Sequence, residues 1–224
     1  KPVVVLINAG RPLIFNWTAD QVPAILYTWW LGSEAGNAIA DVLFGDYNPS
    51  GKLPISFPRE EGQIPIYYNH FNTGRPAPNE TATNYVSAYI DLKNSPKFPF
   101  GYGLSYTTFN YSDLQLSKKV MKKNETITVS FTLTNTGKFD GEEVVQLYLK
   151  DQVGSVVRPV KELRDFQKVF LKAGASQKIT FTIDKEKLAF YNAKLEWEPE
   201  PGTFEVQLGS SSTDIRLKDN FELL

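Results

Sequence analysis

From about residue 110 onward, the chain alternates apolar and polar residues with a period of two. Successive side chains of a β-strand point to opposite faces, so this alternation is typical of strands with one buried and one solvent-facing side. Turn sequences such as Asn135-Thr136-Gly137 and Glu200-Pro201-Gly202 separate the alternating runs. Repeated short strands of this kind predict an antiparallel β-sandwich. The clearest runs are residues 127–133, 145–149, 179–183 and 204–208.

The first 65 residues follow a different pattern. Residues 3–7 and 24–30 are continuous apolar runs, which are typical of parallel strands buried on both faces. A helical pattern follows the second run, and we expect that helix to be the crossover connection to a third strand at residues 53–57. Alternation of strand and helix predicts an α/β region with a parallel sheet.

The segment 31–58 predicts a helix, a tight turn and a short strand. Ser33 is placed to serve as the helix N-cap, because its hydroxyl can accept from backbone N–H groups of the first turn. Gly45 follows the last apolar helical position and can adopt the left-handed conformation that ends many helices. Asn48-Pro49-Ser50-Gly51 fits a type I turn.

Four segments, in this order, carry motifs of one enzyme family. They are KPVVVLINAGR at 1–11, LGSEAGNAIADVLFGDYNPSGKLPISFP at 31–58, QIPIYYNHFNTGRP at 63–76 and PFGYGLSYTTF at 99–109. With these motifs the chain resembles the C-terminal region of glycoside hydrolase family 3, the β-glucosidase and β-xylosidase family.

The resemblance implies an α/β plus all-β chain in three parts. Residues 1–65 would form the second part of the family's C-terminal α/β domain, a partial three-layer α/β sandwich with a parallel sheet. Residues 66–108 would be a linker, and residues 109–224 an immunoglobulin or fibronectin type III-like β-sandwich. Because the first strand begins within a few residues of Lys1, we expect the chain to be a fragment of a longer protein.

Composition argues against several classes of function. The hydrophobic share of 42% and the charged share of 22% are those of an ordinary globular protein. A net charge of −1 gives no electrostatic footprint for nucleic acid or an anionic membrane. No apolar run approaches the ~20 residues of a membrane-spanning helix. Without cysteine, the chain has no disulfide, thiolate metal site or cysteine nucleophile.

The resemblance implies a retaining glycosidase, which needs two carboxyl groups ~5–5.5 Å apart. The family's nucleophile is an Asp in an N-terminal barrel, and its acid/base Glu precedes the strand that begins here at Val3. We therefore predict no catalytic residue within this chain. Ser112-Asp113-Leu114 is the nearest match to the nucleophile motif, but it falls in the first predicted sandwich strand. Glu142 and Glu143 lie in another strand and point to opposite faces, so they do not form a pair.

Three linker residues are candidates for substrate binding. Tyr68, His70 and Arg75 lie in the third family motif, and their polar or aromatic side chains could line a sugar subsite or brace the barrel. His70 is the only histidine, and we predict no Ser-His-Asp triad. We also predict no metal site and no cofactor.

Two functions remain open at this stage. The first is the C-terminal portion of a β-glycosidase, inactive alone, whose partners are a β-linked oligosaccharide or glucoside and the N-terminal barrel of the same parent. By resemblance the parent would be periplasmic or extracellular. The alternative is a non-catalytic carbohydrate-binding or scaffolding module, for which Tyr148 on a polar strand face is the candidate contact. We also expect self-association through apolar surface on residues 1–65.

Overall fold

Residues 1–65 fold around a two-stranded parallel sheet in the computed structural model, which describes residues 1–82 and 84–224. The strands pair in register from Val4 with Ala24 to Ile7 with Tyr27. This pairing confirms the parallel arrangement predicted from the two apolar runs. The elements of this part are β1 (Val4–Ile7), α1 (Asn16–Gln21), β2 (Ala24–Tyr27), α2 (Ala35–Phe44) and a 3-10 helix (Glu61–Gln63).

The helix that connects the two strands is α1. The helix after Ser33 is not the predicted crossover, because its expected third strand at residues 53–57 does not pair with β1 or β2. The six residues of α1, NWTADQ, are too few to display a helical period, and none of them is buried. The sequence therefore gave no periodic signal for this helix.

The structure corrects the predicted start of α2. The helix N-cap is Glu34, not Ser33, and no side chain caps the first turn. A tight turn precedes the helix, in which the Ala35 N–H donates to the Gly32 carbonyl at 3.1 Å. The predicted helix end is confirmed, because Gly45 is the C-cap with a φ of 88° and its N–H donates to the Asp41 carbonyl.

The turn predicted at 48–51 and the strand predicted at 53–57 are both wrong. Residues 48–51 are irregular, and the following segment forms a single bridge between Phe57 and Phe98. The Leu53 N–H also donates to the Tyr102 carbonyl at 2.8 Å. Proline has no N–H to donate, so Pro54 and Pro58 interrupt any longer ladder.

Phe57 is the centre of a small aromatic core that joins the first part of the chain to the linker. Its side chain is 1% exposed. The rings of Tyr27 and Trp29 pack edge-on against it at centroid distances of 4.8 and 5.9 Å, and Phe15 and Phe98 lie at 6.2 and 6.4 Å. Edge-to-face packing at these distances stabilises aromatic clusters beyond the area they bury.

The second half of the chain is a two-sheet β-sandwich. Its strands are β3 (Phe109–Leu116), β4 (Val120–Met121), β5 (Ile127–Asn135), β6 (Gly141–Asp151), β7 (Glu162–Leu171), β8 (Ser176–Ile183), β11 (Gly202–Gly209) and β12 (Ile215–Leu223). One sheet has five strands in the order β4-β12-β11-β6-β7, and the other has three in the order β3-β5-β8. Neighbouring strands are antiparallel except β12 and β4, which are parallel.

A short helix and a small hairpin separate β8 from β11. The helix is α3 (Lys185–Leu188), and the hairpin pairs β9 (Phe190–Tyr191) with β10 (Trp197–Glu198).

The alternating runs of the sequence form the core of the sandwich. Ile127, Val129 and Leu133 are fully buried and Phe131 is 1% exposed, so the inward face predicted for this run is confirmed. The runs at 145–149, 179–183 and 204–208 contribute to the same core.

The solvent-facing side predicted for the run at 145–149 is wrong. Gln146 and Tyr148 are 3% and 0% exposed, so β6 is covered on both faces. Tyr68 and Phe100 from the linker lie over this outer face, with ring centroids 4.2 Å apart, and Tyr68 is 5.8 Å from Tyr148. Tyr148 is therefore unavailable as the exposed sugar contact of the module hypothesis.

Candidate functional site at the linker–sandwich junction

Tyr68 is built into the junction between the linker and the sandwich. Its ring stacks on Phe100 at an interplanar angle of 17°, and its hydroxyl oxygen accepts the Leu163 N–H of β7 at 3.1 Å. Burial raises the pKa of this hydroxyl. These contacts give Tyr68 a structural role within this chain.

The other two predicted substrate contacts are exposed and lie on separate backbone anchors. The His70 carbonyl accepts the Val160 N–H at 3.0 Å, and the Arg75 carbonyl accepts the Ser87 N–H at 2.7 Å. The His70 Nδ1 lies 3.0 Å from the Phe71 carbonyl oxygen. No side-chain hydrogen bond joins Tyr68, His70 and Arg75 among the described residues, and sugar contact by His70 or Arg75 stays a prediction.

A cavity of about 460 Å³ lies where the first part of the chain, the linker and the open end of the sandwich meet. Its charged lining residues come from distant positions: Lys52, Glu143 of β6, and Asp214 and Arg216 at the start of β12. Tyr111 of β3 completes the polar wall. Two of its titratable groups, Tyr111 and Glu143, are buried, at 7% and 5% exposed.

Glu143 is the central group of this cluster. Its side chain accepts the Tyr111 hydroxyl at 3.0 Å and lies 3.4 Å from the Lys52 ammonium. Burial raises the pKa of the Glu143 carboxyl, although Lys52 and the Tyr111 hydrogen bond oppose this effect. Burial also raises the pKa of Tyr111, and the neighbouring Glu143 charge adds to that effect.

The second ion pair of the cavity has ideal two-point geometry. The Arg216 guanidinium donates to both carboxylate oxygens of Asp214, at 2.6 and 2.7 Å. These hydrogen bonds lower the pKa of Asp214 and raise that of Arg216. Each carboxylate is paired with a cation, and the Glu143 pair holds Lys52 against the sandwich. The cluster does not offer one carboxylate as a nucleophile and a second carboxyl as an acid.

Residues 1–82 and 84–224 contain neither a cluster of metal-ligating side chains nor a helix suited to span a membrane. This part of the chain contains no group of three or more His, Cys, Asp or Glu side chains arranged to hold a metal ion. None of its helices has the length and apolar character needed to cross a membrane.

Apolar surface is concentrated on the first part of the chain. None of residues 1–49 is buried, and neither α1 nor α2 contains a buried residue. Exposed apolar surface on this scale is typical of an interaction site. The large exposed apolar side chains of residues 1–49 are Val3, Val4, Leu6, Ile14, Trp17, Trp30, Leu31, Leu43, Phe44 and Tyr47.

Comparison with protein families matches both halves of this architecture. Residues 1–106 match the glycosyl hydrolase family 3 C-terminal domain, and residues 143–212 match a fibronectin type III-like domain. The chain therefore belongs to the class of proteins in which a glycosyl hydrolase C-terminal domain is followed by a fibronectin type III-like domain.

Individual relatives agree with this class. The chain is 52% identical to a periplasmic β-glucosidase of Salmonella typhimurium, with 100% of the chain and 29% of the relative aligned. It is 43% identical to a β-xylosidase of Formosa agariphila, with 97% and 29% aligned. The crystal structure of a Listeria innocua β-glucosidase in complex with isofagomine superimposes with a TM-score of 0.93 at 45% identity, over 100% of this chain and 31% of that one.

The chain belongs to glycoside hydrolase family 3 and matches the C-terminal part of its β-glucosidases and β-xylosidases. It spans less than a third of the length of these relatives. The resemblance seen in the four sequence motifs is confirmed.

Proposed function

We propose that this chain is the C-terminal portion of a retaining β-glycosidase that hydrolyses terminal β-linked sugars from oligosaccharides or glucosides. One observation carries the proposal: the whole chain aligns at 52% identity with a β-glucosidase of which it covers 29%. The name of that relative supports a periplasmic or extracellular location for the parent enzyme.

In the parent, the chain would complete an α/β domain and support the catalytic barrel. The half-exposed strands β1 and β2 and the apolar side chains of α1 and α2 would be covered by further strands and helices, which gives the three-layer α/β sandwich. A parallel sheet is stable when both faces are covered, so this bare surface supports the proposal. The barrel and a β-linked sugar would be the chain's partners.

The chemistry would be carried out by residues outside this chain. A retaining mechanism uses one carboxylate as nucleophile and a second carboxyl as acid/base, ~5–5.5 Å apart. An Asp of the barrel and a Glu preceding Val3 would supply these groups, and no cofactor or metal would take part. His70 and Arg75, exposed on the linker, would contact the sugar or the barrel, whereas Tyr68 would hold the linker in place.

The test compares this chain with the same chain extended by the residues encoded upstream of Lys1. Each protein is purified and assayed with an aryl β-glucoside and an aryl β-xyloside. We expect no turnover by the chain alone and turnover with retained anomeric configuration by the extended protein. Turnover by the chain alone that survives further purification, or an inactive extended protein containing both carboxylates, would contradict the proposal.

A further inference from the structure

The small hairpin of β9 and β10 presents two aromatic rings to solvent. Tyr191 and Trp197 are directly opposite each other across the strands and are 64% and 47% exposed. Their ring centroids are 5.0 Å apart with an interplanar angle of 58°. The rings of Tyr191 and Trp197 therefore meet at an angle, and we call this pair the aromatic wedge.

The hairpin that carries this wedge is firmly anchored. Phe190, next to Tyr191, points the other way and is 3% exposed, and the Arg158 guanidinium lies 3.9 Å from the centroid of its ring. At the tip, the Asn192 side-chain oxygen accepts the N–H groups of Lys194 and Glu196 at 2.8 and 3.1 Å. Because the backbone is held at both ends, the two exposed rings are held in position before any ligand arrives.

Polar groups surround the aromatic wedge. The Trp197 indole N–H donates to the Glu186 carboxylate at 3.1 Å, which fixes the orientation of the ring. The Asn192 side-chain amide donates to Glu196 and to Glu198, both at 3.3 Å. The site thus combines an apolar surface about two rings wide with carboxylate and amide groups at its border.

We propose that Tyr191 and Trp197 form a non-catalytic saccharide-binding site on the sandwich. A pyranose ring has an apolar C–H face and a rim of hydroxyl groups, so the face would stack on the aromatic rings while the hydroxyls donate to the neighbouring carboxylates. The patch is too small for a typical protein interface, which buries about 800 Å² per partner. The choice of a β-linked gluco-oligosaccharide as occupant rests on the proposed function.

The angle between the two rings restricts the class of saccharide that the site would bind. Two coplanar rings would suit consecutive sugars of a flat, extended chain, whereas two rings that touch each other at an angle of 58° each offer a face to a single sugar ring. The site would therefore bind the soluble end of a short oligosaccharide and would not retain the protein on crystalline cellulose.

The test is a titration of the 224-residue chain with cellotetraose and laminaritetraose, followed by tryptophan fluorescence and calorimetry. We expect saturable binding with a dissociation constant of about 1 mM, weakened at least tenfold by Trp197→Ala and by Tyr191→Ala. Trp30→Ala is the matched control, because Trp30 is 80% exposed and its ring lies beside Gly10 in the first part of the chain. It should bind like the unmodified chain. Sorbitol, an open-chain polyol, should give no saturable signal.

Several outcomes would overturn the proposal. They are no saturable binding by the unmodified chain, equal losses in Trp197→Ala and Trp30→Ala, or the same response to sorbitol. If Trp197→Ala disturbs the fold, as judged by circular dichroism, Tyr191→Ala decides the question, because the exposed Tyr191 ring can be removed without opening the core. The measurement does not read glycosidase activity, so its result is independent of the proposed catalytic function.

Discussion

Glu142 and Glu143 are consecutive residues of β6, yet their carboxyl groups have opposite pKa shifts. Glu142 lies on the outer face, where the hydrogen bond from Lys168 lowers its pKa, with smaller effects from Tyr47 and Ser50. Glu143 lies on the inner face, where burial raises its pKa. At the scale of single residues, strand alternation thus separates two like charges into a wet and a dry environment.

The buried carboxyl of Glu143 should give the fold a measurable pH dependence. Because its folded-state pKa is raised above the usual 4.5, the native state holds the proton more tightly than the unfolded state does, and the free energy of unfolding falls as pH rises above 4.5. Glu143→Gln keeps an acceptor for the Tyr111 hydroxyl but does not titrate. We expect the variant to gain stability relative to the unmodified chain as pH rises from 4.5 through the folded-state pKa of Glu143, measured by urea unfolding.

Glu142→Gln is the matched control for this prediction. The lowered pKa of Glu142 gives stability that is present above pH 4.5 and lost as pH falls through the folded-state value. Its replacement should cost less than about 1 kcal/mol at neutral pH, since partly exposed ion pairs are weak, and this cost should vanish in acid. Asp214, whose pKa is lowered from 3.8 mainly by its hydrogen bond from Arg216, is unchanged in both variants, so its titration cancels in the comparison. Parallel pH profiles for Glu142→Gln and Glu143→Gln would contradict this assignment.

At the scale of elements, the linker acts as a cover for the outer face of β6. Tyr68→Ala removes the ring that packs on Phe100 and Tyr148 and leaves the Leu163 N–H without its acceptor. We expect a loss of about 2–3 kcal/mol in the free energy of unfolding, and a loss of about 1 kcal/mol for Tyr68→Phe, which removes only the hydrogen bond. Urea unfolding followed by circular dichroism measures both.

Tyr67 provides the control for Tyr68, because it is the adjacent tyrosine and is 62% exposed. Tyr67→Ala should change stability by no more than about 0.5 kcal/mol. If the two alanine variants unfold alike, the linker does not stabilise the sandwich through Tyr68.

The sequence correctly predicted the elements whose packing partners follow from the local pattern of residues. The alternation in β5 predicted its core face correctly, because Ile127 to Leu133 pack within the sandwich that the same pattern builds. The cover over Tyr148 comes from Tyr68 and Phe100, which are distant in sequence, so no local pattern could reveal it. The edge strand β7, ELRDFQKVFL, was not predicted, since charged residues dominate its first half.

The junction cavity could not be predicted from the sequence either, because the residues that line it are distant from one another in the chain. Lys52 and Glu143 are 91 residues apart in the chain, and only the fold brings them within 3.4 Å. Sequence spacing predicted that Glu142 and Glu143 would not act together. It could not indicate which of the two would be buried or which cation would reach it.

At the scale of the whole molecule, the two halves of the chain are packed very differently. The sandwich has a continuous core of buried side chains from both of its sheets, whereas residues 1–49 contain no buried residue. The first part is held mainly by the aromatic contacts around Phe57 and by bonds to the sandwich, such as that between the Asn48 side chain and the Asp140 carbonyl at 2.8 Å. The first part of the chain therefore leaves much of its apolar surface exposed.

This bare surface should make the isolated chain self-associate. Light scattering at increasing protein concentration should show a rising average mass, and Phe44→Glu should reduce it, because Phe44 is 84% exposed on α2. Burying a phenylalanine side chain contributes about 2 kcal/mol, so the variant should weaken association by roughly tenfold or more. Phe139→Glu, at a 60% exposed position near the sandwich, is the matched control and should associate like the unmodified chain. A constant monomer mass for the unmodified chain, or equal effects of the two glutamates, would show that the apolar face of residues 1–65 does not drive association.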